Sequence, residues 1–148
     1  MKSQSPLITL RDLAQDAVEQ AAQRLGQVRQ AQQSAERQLS LLLNYQDEYR
    51  QKLNHTLSGG MESSRWQNYQ QFIGTLEQAI DQHRQQLLQW SQKVDHAVRH
   101  WQDKQQRLNA FETLHSRALS AEQQRENKRD QKLMDEFAQR SAQRNTNP

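Results

Sequence analysis

Apolar residues between Trp66 and Ala118 recur at alternating steps of three and four positions, without a break. This spacing lays one narrow apolar seam along a single helix and predicts a left-handed coiled coil rather than a strand. Gly74 is the lone glycine within the stretch and costs only about 1 kcal/mol. Because so narrow a seam cannot be buried by one helix alone, the pattern also predicts a partner helix. The seam residues are Trp66, Tyr69, Ile73, Leu76, Ile80, His83, Leu87, Trp90, Val94, Ala97, Trp101, Lys104, Leu108, Phe111, His115 and Ala118.

A second apolar seam precedes the first, and we expect one helix from about residue 5 to about residue 55, with Pro6 in its first turn. Steps of four on both sides of Ala21 predict a local stutter in the coiled coil. Small and polar seam residues predict weaker packing in the first half of this helix. The seam residues are Leu7, Leu10, Ala14, Ala17, Ala21, Leu25, Val28, Gln32, Ala35, Leu39, Leu42, Gln46, Tyr49 and Leu53.

The adjacent glycines Gly59 and Gly60 predict a chain reversal within residues 57–63. Ser64, followed three residues later by Gln67, predicts a capping box that starts the second helix. Since a short connection makes two helices antiparallel neighbours, facing residues should have numbers that sum to about 120. The sequence therefore predicts an all-α fold, a long antiparallel two-helix coiled coil (an α-helical hairpin).

The apolar seam fails after Ala118, where the run from Glu122 to Lys132 is polar on every face. A small apolar cluster returns at Leu133, Met134 and Phe137. The predicted regions are a frayed N-terminus at 1–6, the coiled-coil hairpin at 7–118, and a polar helical extension at 119–148 whose last residues, from 141, form a disordered tail.

Composition suits a coiled coil better than a globular core, since 33% of the residues are hydrophobic and the mean hydropathy is -1.19. The chain has no cysteine, which excludes disulfides and thiolate chemistry and favours a reducing cytoplasm. No apolar run approaches the roughly 20 residues of a membrane span, and no signal peptide is expected before Leu7. The net charge of +3 does not discriminate between classes of partner.

Catalytic motifs are absent from the sequence, including a phosphate-binding glycine loop and a dinucleotide fingerprint, so we expect neither an enzyme nor a cofactor. His96 and His100 share a helix face, as metal ligands would, but no third ligand is near and no metal site is expected. Basic residues between Arg125 and Lys132 alternate with acids. A nucleic-acid-binding helix would lack those acids, so no nucleic-acid partner is predicted.

Near the predicted turn, two short stripes of residues run along and beside the seams. They lie at the same level of the helix pair because the numbers of facing residues sum to 121. Tyr45 and Phe72 each directly precede a seam residue, which turns both rings toward one side of an antiparallel pair. An exposed aromatic face of this kind usually marks a protein interface. The alternative is that these residues widen the packing near the turn. The stripes are Gln38, Leu42, Tyr45 and Tyr49 on the first helix, and Phe72, Leu76, Ala79 and His83 on the second.

Three blocks of sequence, Asn44–Tyr49, Arg65–Ile73 and Asp130–Ala138, closely resemble the FliJ family of flagellar type III export proteins. The similarity extends from about residue 7 to about residue 144. It implies a cytoplasmic stalk protein that resembles the two-helix coiled coil of the rotary-ATPase γ subunit. The implied partners are the hexameric export ATPase FliI, the export gate protein FlhA and flagellar export chaperones, and any association with the inner membrane would run through these proteins.

In that family the gate-contacting surface corresponds to the two stripes defined above, while the surface facing the ATPase would lie near the two chain ends. The resemblance therefore implies a stalk or adaptor that bridges the ATPase ring to the export gate. Two alternatives stay open at this point. One is a general cytosolic chaperone-like adaptor whose polar tail folds on export substrates, and the other is a structural coiled-coil scaffold that self-associates.

Overall fold

The computed structural model describes residues 6–60 and 62–146. Within these residues the chain forms two helices, α1 (Pro6–Leu57) and α2 (Ser63–Thr146), which pack against each other, and no strand. The predicted helical hairpin is confirmed. No helix in the described part of the chain carries an apolar segment sufficient to cross a membrane.

The two helices contribute to two compact units, one formed by Glu19–Asp103 and the other by the described parts of Met1–Val18 and Lys104–Pro148. Within Glu19–Asp103 the pairing is antiparallel. The Gln32 Nε2 donates a hydrogen bond to the Ser91 Oγ at 3.1 Å, which satisfies a polar side chain in the seam of α1.

The core of the Glu19–Asp103 unit is a cluster of Leu25, Val28 and Ala97. These three side chains are buried, and Val28 is only 2% exposed. Larger apolar side chains, more exposed to solvent, pack against the cluster from α2. They are Trp90, Val94, Val98 and Trp101.

The seam of α2 follows the predicted spacing as far as His115, with Leu76, Ile80, Ala97 and Leu108 buried. Ala118, predicted to be the last seam residue, is exposed instead, as is every other side chain from residue 116 to residue 140. These side chains are exposed because of the register in which α1 and α2 pair. In an antiparallel pairing with numbers that sum to about 120, positions beyond 115 have no counterpart on a helix α1 that begins at Pro6.

The stutter predicted near Ala21 is wrong. Val18 is buried and Ala17 only partly so, and the partly buried residue before Ala14 is Arg11 rather than Leu10. The spacing of the buried positions therefore alternates between four and three through this part of α1. A valine removes more apolar surface from water than an alanine does, so the register that buries Val18 is favoured.

The connection between the helices lies within the predicted interval 57–63, although Met61 is outside the described residues. Gly60 has a φ of 85°, a conformation that few residues besides glycine adopt. The predicted capping box at Ser64 is incorrect, because α2 begins at Ser63 and the Trp66 N–H donates to the Glu62 carbonyl at 3.1 Å. Glu62 thus takes the capping position through its backbone.

Helix α2 continues through residues 141–146, where the sequence analysis expected a disordered tail. Extending a helix that has already formed adds one hydrogen bond for each residue fixed, so a polar segment such as Ser141–Arg144 can follow the helix before it. Residues 1–5, with the predicted frayed start, and residues 147–148 lie outside the described residues.

Replacing Gly60 by Ala is expected to lower the free energy of unfolding by about 1 kcal/mol, because the added Cβ disfavours a positive φ. The matched control is Gly59→Ala, whose φ is not positive and whose Cβ would meet only the Thr56 carbonyl at an ordinary 3.7 Å. Thermal unfolding followed by far-UV circular dichroism measures the stability of both variants. Equal midpoints for the two variants would contradict the role assigned to Gly60.

Candidate protein-interaction surface

Tyr45 and Phe72 are the most exposed aromatic members of the two predicted stripes, at 54% and 42% of their surface. Each directly precedes a residue of its helix seam, and α1 and α2 run antiparallel at this level, so both residues are placed on one side of the helix pair. Since helices fix the backbone here, the rings are held without the cost of ordering a loop.

Tyr49 connects the two stripes. Its ring stacks on Phe72 with 4.3 Å between the centroids and 25° between the planes. It also meets Tyr69 edge-on at 6.0 Å and 63°. Such pairs contribute about 0.5–1.5 kcal/mol beyond their buried area. The predicted pairing of positions 49 and 72 at one level is therefore observed as a ring contact that limits the movement of Phe72.

The remaining predicted residues differ in how much surface they offer. Gln38 is exposed, whereas Leu42, Ala79 and His83 are half-buried. Leu76 is only 7% exposed and acts in the helix–helix packing beneath the stripe. A partner lying on this face would touch Leu76 little, so substitutions there would change stability before they change binding.

His83 has a buried Nδ1 atom that makes no hydrogen bond within the described part of the chain. A buried polar atom without a partner typically costs about 1–3 kcal/mol. The imidazole lies in the α2 seam, one turn beyond Ala79, at the border of the candidate surface.

A family model described as "Flagellar FliJ protein" matches residues 2–147. The chain belongs to the flagellar FliJ family. It is 56% identical over 144 residues to the Flagellar FliJ protein of Escherichia coli (strain K12), covering 97% of this chain and 98% of that relative. It is 54% identical, with the same coverage, to the Flagellar FliJ protein of Salmonella typhi. The resemblance seen in the three sequence blocks is thus confirmed.

Leu41 is a surface residue of this FliJ family chain that the sequence analysis missed. Its side chain is 58% exposed, and it lies four positions before Tyr45, so the two side chains are neighbours on the face of α1. The signal was available in the sequence as an i, i+4 apolar pair. Leu41 also directly precedes the seam residue Leu42, as Tyr45 precedes Gln46, so the rule that selected Tyr45 selects Leu41 as well.

The two histidines considered as metal ligands, His96 and His100, line one groove in the Glu19–Asp103 unit, which agrees with their predicted common face. Within the described residues, no group of three or more His, Cys, Asp or Glu side chains is placed to hold a metal ion. The surfaces that the structure offers in this FliJ family member are open grooves and exposed patches along the helices, which suit macromolecular partners.

Proposed function

We propose that this chain is a non-enzymatic stalk or adaptor of the flagellar type III protein export apparatus. It bridges the hexameric export ATPase FliI to the export gate protein FlhA and binds flagellar export chaperones. Membership of the flagellar FliJ family supports a role in flagellar protein export. The observation that carries the proposal is the exposed pair Tyr45 and Phe72, held on two antiparallel helices near the turn.

The gate-facing surface is formed by the two stripes, and their exposed members contribute most of the binding energy. Interface energy is concentrated in a few aromatic side chains near the centre of a contact. Tyr45 presents its ring freely, while Phe72 is held by its stack on Tyr49, so the second ring loses little freedom on binding. Leu41 lies one turn and Gln38 two turns before Tyr45 on α1, and both would extend the contact.

The ATPase-facing surface is formed in the unit that contains the chain ends. There, the exposed leucines Leu10 and Leu13 line a groove with Phe111 of α2, and two cations of α2, Lys104 and Arg107, also line it. An apolar groove flanked by positive charge suits a partner surface that combines apolar and acidic residues. In this proposal the chain is a cytoplasmic protein, attached to the inner-membrane export apparatus only through its protein partners.

Site-specific photocrosslinking tests the bridging role. A benzophenone amino acid placed at Tyr45, or separately at Leu13, which is 61% exposed, is expected to capture different proteins in cells. Crosslinks from position 45 should contain FlhA, and those from position 13 should contain FliI. Capture of the same single partner from both positions, or of neither protein, would contradict the proposal. The buried Ala14 and Leu108 are unsuitable positions because a bulky probe would disrupt the packing.

The second candidate is a chaperone-like adaptor without a role in the ATPase ring. It is favoured by the end of α2, where Leu133, Met134 and Phe137 are 63–72% exposed on a stretch that no other described part of the chain covers. Co-sedimentation with the FliI oligomer, with and without nucleotide, separates the two. A chain that never sediments with the oligomer supports the adaptor. The scaffold alternative requires self-association, which sedimentation equilibrium would detect.

A further inference from the structure

A groove with a basic rim lies between the helices in the Glu19–Asp103 unit, apart from the aromatic stripes. Its floor is formed by Val28 of α1 and Ala97 of α2, both of which are buried. Because alanine has a short side chain, the floor is set back between the longer residues around it. Since Val28 and Ala97 are only 2% and 7% exposed, the apolar surface within the groove comes mainly from the aliphatic parts of the longer side chains around them.

The walls of this groove are cationic or neutral. Arg24 rises from α1, while Lys93, His96 and His100 rise from α2, accompanied by two glutamines, Gln89 and Gln92. Among the described residues that line the groove, none is Asp or Glu. The nearest acids in the α2 sequence, Asp95 and Asp103, lie outside the lining. A negatively charged ligand would thus meet positive charge without an opposing carboxylate at the groove.

Lys93 is held in place by an aromatic ring. Its Nζ lies 4.5 Å from the ring centroid of Trp90, a cation–π contact. This contact keeps the charge beside the groove and reduces the entropy lost when a ligand binds it. It also makes Trp90 a reporter, because a ligand that draws the ammonium group away changes the surroundings of the indole.

We propose that this groove binds an acidic, helix-forming segment of a protein partner, laid between α1 and α2 as a third helix. An amphipathic helix would place small apolar side chains over this floor, against the aliphatic parts of the side chains that line the groove. Its flanking carboxylates would meet Arg24 on one wall and Lys93 on the other, and its remaining polar groups would find the two glutamines.

The groove is a second site on the same side of the unit as Tyr45 and Phe72. Arg24, Lys93 and His100, like those two rings, each directly precede a seam residue. The site nevertheless shares no residue with the aromatic stripes. Binding in the groove therefore does not depend on which protein docks on Tyr45 and Phe72.

A peptide ligand fits the groove better than nucleic acid does. The aliphatic parts of the lining side chains offer nothing to a phosphate backbone, and only two residues of the lining, Arg24 and Lys93, are permanently charged. Phosphate-backbone binding rests on many neutralising contacts and falls steeply with salt. A peptide helix would use the aliphatic parts as well as the charges, so its binding should persist at physiological salt.

Fluorescence anisotropy with the full chain tests the inference. The first probe is a labelled amphipathic peptide of about 20 residues, which is long enough to form a helix. It has alanine and leucine on one face and glutamate on the other. Its counterpart has lysine in place of glutamate, and single-stranded oligothymidine serves as the nucleic-acid probe. We expect the acidic peptide to bind with a change in tryptophan fluorescence that is absent from a Trp90→Phe variant, and the lysine peptide and the oligonucleotide to bind at least about tenfold more weakly.

Two double variants locate the binding. The double variant Arg24→Gln with Lys93→Gln is expected to weaken binding of the acidic peptide about tenfold. The control, Arg29→Gln with Arg84→Gln, removes the same number of charges from exposed positions outside the groove and should leave binding unchanged. Tyr45→Ala should also leave it unchanged. Equal effects of the two double variants, absence of peptide binding, or equal binding of oligothymidine at physiological salt would overturn the proposal.

Discussion

Replacing Val28 by Asp is expected to lower the free energy of unfolding by about 4 kcal/mol, which is a large part of the stability of a typical domain. Val28 is 2% exposed and packs in the cluster with Leu25 and Ala97. The described cluster is apolar, and the nearest cations of the groove, Arg24 and Lys93, are exposed side chains on its walls, so a carboxylate at this buried position would be only partly compensated. The loss should appear as a much lower midpoint in thermal or urea unfolding followed by far-UV circular dichroism.

The matched control for this substitution is Gln27→Asp, one residue earlier on the exposed face of α1. It adds the same charge to the same helix, and its effect should stay within about 0.5 kcal/mol. A pH series adds a second check. A buried carboxylate gains stability when it is protonated, so Val28→Asp should recover part of its loss as the pH falls. A Val28→Asp chain as stable as Gln27→Asp would show that the cluster does not hold the helices together.

The seam of α2 could be predicted from the sequence because its residues are large, and their spacing leaves one consistent register. Trp66, Trp90 and Trp101 set that register at three levels. In α1 the early seam positions are small. Ala17 and Val18 are adjacent and both apolar, so spacing alone left the register open, and the burial of Val18 decided it.

The end of α2 was harder to predict, for a different reason. Periodicity reports only where a helix is buried, and from residue 116 to residue 140 the described part of α1 offers nothing for α2 to be buried against. The absence of a seam was therefore a correct signal for exposure. It was a poor signal for disorder, because helix propagation depends on backbone hydrogen bonds rather than on an apolar face.

The candidate surface was predictable in position but not in detail. The spacing of Tyr45 and Phe72 relative to the seams predicted their exposure on one side, since helix geometry fixes the direction of each Cα–Cβ bond. The stacking of Tyr49 on Phe72 depends on rotamers and on the axial stagger of two helices, neither of which is encoded by spacing. The unpaired Nδ1 of His83 could not be foreseen for the same reason.

The second large effect is expected for partner binding at the aromatic surface formed by Tyr45 and Phe72. Tyr45→Glu combined with Phe72→Glu should weaken binding to purified FlhA at least about 100-fold, because two aromatic anchors are lost and carboxylates replace them. Tyr45→Glu alone should give a large part of this loss without touching the packing. Phe72→Glu also removes the stack on Tyr49, worth about 1 kcal/mol, so a modest fall in thermal stability is expected with it.

A matched control separates loss of the surface from the addition of charge. Gln85→Glu with Leu88→Glu introduces the same two carboxylates at exposed positions of α2 outside the stripes, where Leu88 is 60% exposed. Binding to FlhA should be retained by this control and lost by the stripe variant, while both keep the helical circular-dichroism signal and binding to FliI. If the stripe variant bound FlhA normally, or lost its helicity together with all binding, Tyr45 and Phe72 would be packing residues rather than the contact with the gate.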